Sequence, residues 1–235
     1  MKRFSLLLFC LVLPCSYNLA NEGELIVSDD FERSESQELK DEPGKNWETN
    51  SASRAGGNKQ VDLKDGAMYI FIHETADHGV SVKHPAEFTN GTVSLRFMLE
   101  DPKDELGLNF ADLQYKAVHA GHLFAVRMNP TSLTIQDLKT GRMDKKMREA
   151  RQNGTVTPEQ NKLVKTKEKS FPAEISVGEW HHVKVQVDGD VLKVSIDEEE
   201  IASFQSEGMA HPTKRYLRLA VKRNAVVDDL KIWKR

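Results

Sequence analysis

From Gly178 to Phe204 the chain reads G-E-W-H-H-V-K-V-Q-V-D-G-D-V-L-K-V-S-I-D-E-E-E-I-A-S-F, and few folds accept such a run. Val183, Val185 and Val187 alternate with Lys184, Gln186 and Asp188. Successive side chains of a strand point to opposite faces, so this period of two buries one set and wets the other. Asp188-Gly189 is a two-residue hairpin signal, because both residue types tolerate positive φ. A second alternating run covers Val191 to Ile196, a polar turn Asp197 to Glu200, and a third strand starts at Ile201. The stretch predicts an antiparallel meander with one apolar face.

The same alternation recurs through most of the chain. Val93, Leu95, Phe97 and Leu99 share one face of a strand over Gly91 to Glu100. Leu106, Leu108 and Phe110 do so in the next, then Phe124 and Val126, Leu133 and Ile135, and Leu217, Leu219 and Val221. Shorter strands are expected over Leu25 to Phe31, Ala67 to His73, His78 to His84 and Ala225 to Trp233. Glu32 to Lys64 reads as a long polar loop with Trp47 as its single anchor. About a dozen short strands with turns between them predict an all-β antiparallel sandwich of jelly-roll type.

One stretch breaks the pattern. From Arg142 to Lys169 charges crowd and helix formers dominate. Thr157-Pro158-Glu159 is a helix start, with Thr as cap and Pro in the first turn. The expectation is a helical insert at about 142–169, with helices over Met143 to Gln152 and Pro158 to Thr166, solvated and peripheral.

Met1 to Ala20 reads as a secretory signal: Lys2 and Arg3 are its charged start, and Phe4 to Leu13 an apolar run too short to span a bilayer. Residues 21–235 would then form a single domain, secreted or periplasmic, with no transmembrane segment. A lipoprotein acylated at Cys15 is the alternative. Cys10 and Cys15, the two cysteines, both lie in this segment, so the remaining chain has no disulfide, thiolate metal ligand or cysteine nucleophile. The net charge is −3, an acidic balance that gives nucleic acid no electrostatic footprint.

Several segments resemble a known family. Gly178-Glu179-Trp180-His181, the two strands after it, Ala210-His211-Pro212-Thr213-Lys214, Leu219-Ala220-Val221 and Val227-Asp228-Asp229-Leu230-Lys231-Ile232-Trp233 are similar to the C-terminal half of concanavalin A-like lectin/glucanase sandwiches. Asp29-Asp30-Phe31 resembles their first strand. Within that superfamily the chain most resembles secreted bacterial 3-keto-disaccharide hydrolase domain proteins. The resemblance implies a carbohydrate ligand and either cleavage of a glycosidic bond or glycan recognition without cleavage. A lectin-like module and an envelope interaction protein are the alternatives.

The residues themselves fix no reaction. Laminarinase-type relatives carry E-x-D-x-x-E on one strand, which sets two carboxyls about 5 Å apart; this sequence lacks the motif. Asp197 to Glu200, the nearest acidic cluster, sits where a turn is expected. His119 and His122 are three apart and His181 and His182 adjacent, spacings that define no metal site. No cofactor is expected, although Asp29, Asp30, Asp228 and Asp229 bracket the domain and would suit a structural Ca²⁺.

Strand parity leaves an outward set: Arg96, Asn109, Arg127, Gln136, His182, Tyr216 and Arg218. Guanidinium groups and planar amides suit a ligand dense in hydroxyls. Asn109, Arg127 and Arg218 are the candidate ligand-binding residues. Asp112 and His122, at strand ends, are the candidate acid/base pair if cleavage occurs.

Overall fold

The computed structural model describes residues 22–235. The expected signal segment, with Cys10 and Cys15, lies outside the described residues. The strands are β1 (Glu24–Asp29), β2 (Glu48–Thr49), β3 (Val61–Lys64), β4 (Ala67–Phe71), β5 (Val80–Phe88), β6 (Gly91–Met98), β7 (Leu106–Ala111), β8 (His122–Asn129), β9 (Ser132–Asp137), β10 (Glu168–Pro172), β11 (His181–Asp188), β12 (Val191–Ile196), β13 (Glu199–Gln205), β14 (Lys214–Val221) and β15 (Asn224–Lys234). The helices are α1 (Ser51–Arg54), α2 (Lys145–Gln152) and α3 (Pro158–Thr166).

These strands form two antiparallel sheets. One runs β13-β12-β11-β6-β15-β4-β3, with β1 added along the second half of β15. The other runs β10-β9-β8-β7-β14-β5-β2. The alternating residues close between them: Val93, Leu95 and Phe97 of one sheet and Leu108, Phe110, Phe124, Val126 and Leu217 of the other are fully buried. Phe110 and Phe124 stack with ring centres 4.5 Å apart. Each such side chain removed from water contributes about 1.5–3 kcal/mol, which is how a domain without disulfides holds together.

The meander is present with one shift. Asp188 pairs with Val191, so the two loop residues are Gly189 and Asp190 rather than Asp188 and Gly189. Gly189 takes φ +56° at the first loop position, where glycine suits a type II′ turn. The next turn, Asp197-Glu198, has positive φ at both residues. The Asp197 carboxylate offsets that strain by accepting the His182 backbone N–H at 2.7 Å and pairing with His181 Nδ1 at 2.6 Å.

Two expectations need correction. Glu32 to Lys64 is not a plain loop: it holds β2, α1 and β3. Trp47 does anchor it, through an indole N–H donated to Asp29 at 2.8 Å. The insert ends earlier than Lys169, because Glu168–Pro172 pairs with β9 as the edge strand of its sheet. Nor is the insert merely peripheral. Met147 of α2 is buried, and the backbone on the N-terminal side of α2 bonds to the 117–119 segment through Lys145 N–H to Ala117 O and His119 N–H to Met143 O. Helix α3 starts as its sequence predicts, with Thr157 and Gln160 closing a capping box.

Candidate functional site

The outward face of the seven-stranded sheet has a low floor. Across β14, β7 and β8, Arg218 stands beside Asn109 and Asn109 beside Ala125; one step along, Ala220 stands beside Gly107 and Gly107 beside Arg127. Gly107 and alanines 111, 125 and 220 carry no side chain beyond a methyl, so the longer residues lie over them. A Cβ on Gly107 would touch the Ala220 carbonyl at 3.3 Å. Though outward, Asn109 is only 6% exposed and Arg218 8%.

Arg218 is the unusual member. Its Nη2 donates to the Ala120 carbonyl at 2.8 Å, and among the described residues no carboxylate forms an ion pair with it. Burial pushes its pKa down from the arginine value, opposed by the Tyr216 phenol alone. Holding a guanidinium away from water without an anion costs several kcal/mol. The carbonyl it meets is itself held in a strained turn. Ala120 has φ +49° and Gly121 φ +69°, and Gly121 O accepts the Asp112 N–H at 2.9 Å. A Cβ on Gly121 would come within 2.4 Å of the Asp112 carbonyl, so only glycine closes this loop.

Two neighbours are left without hydrogen-bond partners: Asn109 Oδ1 and His122 Nδ1, both buried atoms. Burial first, then the charges of Arg218, His119, Arg127 and His78, push the His122 pKa down to about 3. His122 is therefore a neutral imidazole at physiological pH. Native structures leave few buried polar atoms unpaired. A buried cation without an anion beside two unpaired polar atoms is the pattern of a site that completes its bonds with a ligand.

The rim continues toward β9 and β10. Arg127 donates to Gln136 Oε1 at 3.0 Å and to Glu105 at 2.8 Å, and Lys222 also reaches Glu105 at 3.0 Å. Gln136 donates to Glu168 at 2.8 Å, and Arg142 pairs with the same carboxylate. Asn129, Thr134 and Ser170 complete this polar hollow. Both carboxylates are thus held by cations.

Asn109, Arg127, Arg218 and His122 share this face. Asp112 is turned elsewhere. Its oxygens accept the Gln114 N–H at 2.8 Å and bond to His211 Nε2 at 3.2 Å, and Arg215 Nε lies 3.3 Å away as an ion-pair partner without a hydrogen bond. Burial would raise its pKa, but His211, Gln114 and Arg215 outweigh it and leave the carboxyl below its usual range. The other outward residues divide. Gln136 and Tyr216 belong to this sheet, whereas Arg96 and His182 stand on the opposite one. Sequence reasoning missed Glu105, Arg142 and Glu168. Only the β10 pairing brings Glu168 next to Gln136, and a single five-residue edge strand announces itself weakly.

Two groups of carboxylates have the donor chemistry of a metal site. Asp29 accepts bonds from Arg33, Lys45 and Trp47, while Asp228 and Asp229 face Arg96 at 3.1 and 3.7 Å. With cations already on both pairs, this donor set does not fit a Ca²⁺ ion. Glu35, Glu38 and Asp62 converge, but on the Lys59 ammonium, at 2.7, 2.7 and 2.6 Å.

A family model described as a 3-keto-alpha-glucoside-1,2-lyase-like domain matches residues 36–232. The chain belongs to this family. Comparison with curated protein sequences finds no match. Among solved structures, the laminarinase from Rhodothermus marinus superposes with a TM-score of 0.61 at 11% identity, over 90% of this chain and 97% of that one. A carbohydrate-binding module, CBM66 from Bacillus subtilis, gives 0.53 at 11%, over 80% and 96%. An endo-β-galactosidase from Clostridium perfringens gives 0.60 at 9%, over 91% and 63%. At these identities the likeness is one of fold: a jelly-roll sandwich of the concanavalin A-like glucanase type. No helix among the described residues is long and apolar enough to cross a membrane.

Proposed function

We propose that this protein is exported to the periplasm or beyond the cell and cleaves a 3-keto-glycoside by elimination, at the site around His122, Asn109 and Arg218. The observation that carries the reading is the buried Arg218 guanidinium with no anion, beside the unpartnered His122 Nδ1. In a 3-keto sugar the C2 hydrogen is acidified by the neighbouring carbonyl. His122, a neutral imidazole whose free ring nitrogen carries no proton, takes that hydrogen as a proton. The electron pair moves onto the C3 oxygen, where Arg218 and the Asn109 amide hold the negative charge as it develops. The pair then returns to form C1=C2 as the C1–O bond breaks, and the His122 proton passes to the departing alcohol. A pKa of about 3 makes the free imidazole a weak base. The growing enolate next to it raises its proton affinity when the proton moves. In this scheme Asp112 is a positioning residue, holding the turn that presents Ala120 O.

A second reading, glycan binding without cleavage, has one observation in its favour. Glu105 and Glu168, the carboxylates of the hollow, are both engaged by arginines and cannot act as a glycosidase pair. Incubation with a 3-oxidised disaccharide, following both release of the second sugar and the absorbance of the enone, separates the two. The expected outcome is turnover in wild type, a loss of about 100-fold or more in His122→Gln, and unchanged affinity. Binding without release in wild type selects the second reading. Neither binding nor release of any glycan ends both.

A further inference from the structure

The insert is charged against the rest of the molecule. Residues 142–167 hold eight Lys or Arg and three Asp or Glu, in a chain whose net charge is −3. The excess is concentrated on and around α2. A shallow hollow there is lined by Arg142, Met143, Arg148, Arg151 and Gln152. Arg148 bonds only to the neutral Gln152 amide, at 2.9 Å, and among the described residues neither it nor Arg151 makes an ion pair. Arg142 lines this hollow and also the polar one beside Arg127, so the two are contiguous. On the other side, the charges of Arg148, Arg218 and Lys145 all reach His119 and, after burial, hold its pKa down. Arg218 bonds to Ala120 O, and the adjoining His119 and Ala117 bond to Met143 and Lys145 at the start of α2, so the cations of α2 and the buried Arg218 flank one loop.

Helix stability accounts for only part of it: Arg151 lies in the last turn of α2, where a cation is favoured, but Arg148 gains nothing there, and Lys145 and Lys146 occupy the first turn, where the Asp144 cap is the one acidic residue. The positive end of the helix dipole disfavours cations at that place. Arg148 and Arg151 lie on a segment tied to the site loop by backbone bonds, so their position relative to the cleft is fixed.

We propose that the glycan this site takes is anionic, with carboxylate or sulfate groups on the sugars flanking the reacting one seated on Arg148 and Arg151. The inference rests on the reading of the cleft as a glycan site. Guanidinium groups recognise both groups through paired N–H donors.

Affinity electrophoresis of the full chain tests it, in gels containing polygalacturonate, a sulfated galactan, a neutral β-glucan or single-stranded DNA. Wild type should be retarded about tenfold more strongly by at least one anionic glycan than by the neutral one, with the difference reduced by salt. Retardation by polygalacturonate alone assigns a carboxylate, and by the galactan alone a sulfate. The double variant Arg148→Gln/Arg151→Gln, on an accessible helix face, should lose about tenfold on the anionic glycan and less than twofold on the neutral one, with an unchanged melting curve. Equal retardation by neutral and anionic glycans overturns the proposal, as does full retention of anionic binding by the variant. Retardation by DNA as strong as by any glycan overturns it in favour of a general polyanion surface. If 3-oxidised neutral disaccharides are turned over normally without any anionic preference, this inference fails and the proposed function stands. If no glycan binds or turns over, both fail.

Discussion

On the outward face of the eight-stranded sheet, Arg96, Lys184 and Lys193 are half-exposed and each has a carboxylate: Asp228 at 3.1 Å, Glu22, and Glu200 at 3.3 Å. Arg96 also lies over the Trp180 ring, 4.7 Å from its centre. On the outward face of the seven-stranded sheet, Arg218 is buried and has none. Both faces arise from the same period-2 alternation. What separates a solvated face from a site is how the electrostatics are left. Among the described residues, the first surface leaves only the exposed Lys231 without a carboxylate and one hydroxyl, Thr92 Oγ1, without a partner; the second leaves a buried guanidinium and two polar atoms unsatisfied.

Exchanging arginine for methionine on each face sharpens that contrast most. Arg218→Met should lower turnover of a 3-oxidised disaccharide by about 100-fold, the scale of losing one preorganised donor to a developing oxyanion. Its melting temperature should hold or rise, because the variant no longer buries an unpaired charge. Wild-type turnover in Arg218→Met would break the comparison outright. Next in size is Asp112→Asn, which weakens a buried network and should cost about 1–3 kcal/mol in denaturant unfolding. Its turnover should stay within a few fold of wild type; a loss as deep as that of His122→Gln would make Asp112 a reacting group.

A third effect is a slope. The His122 pKa is about 3 when folded, against an ordinary 6.5, so between those values the unfolded chain binds the extra proton. Stability from this residue is complete above pH 6.5 and is lost as pH falls toward 3, by at most about 1.4 kcal/mol per pH unit. His122→Gln should therefore show a shallower fall in melting temperature between pH 7 and 5 than wild type. Parallel curves would mean the imidazole is not desolvated. The smallest effect belongs to the control face: Arg96→Met should change stability by no more than about 0.5–1 kcal/mol and leave turnover untouched.

The sandwich was legible because alternation encodes burial directly. Each apolar set named from sequence, such as Val93, Leu95 and Phe97 or Leu217 and Leu219, lies in the core. Parity also put Asn109, Arg127 and Arg218 on an outward face. It could not tell one sheet from the other, so Arg96 and His182 entered the same set although they stand on the far side of the molecule. Sheet membership depends on pairings between residues as distant as His181 and Phe97. Burial of an outward residue is equally non-local: Arg218 is covered because a loop returns Ala120 to it from 98 positions away. The role of the insert was hidden for the same reason, since its composition announces helices but not the backbone bonds that fix them beside the cleft.

The Lys59 cage gives the other end of the molecule a distinct independence. Burial alone would lower the ammonium's pKa, but Asp62, Glu35 and Glu38 outweigh it and hold the charge firmly on. Glu35 in turn accepts the backbone N–H groups of Glu42 and Leu63, so the arrangement fastens the loop after β1 to β3. Three carboxylates around one cation is an arrangement that can also be completed by a dissolved ion, occupied only when the surroundings supply it. Here the cation is part of the chain and arrives with folding. The ammonium that closes this loop is thus carried by the chain itself, and it ties three separate acidic residues to one point.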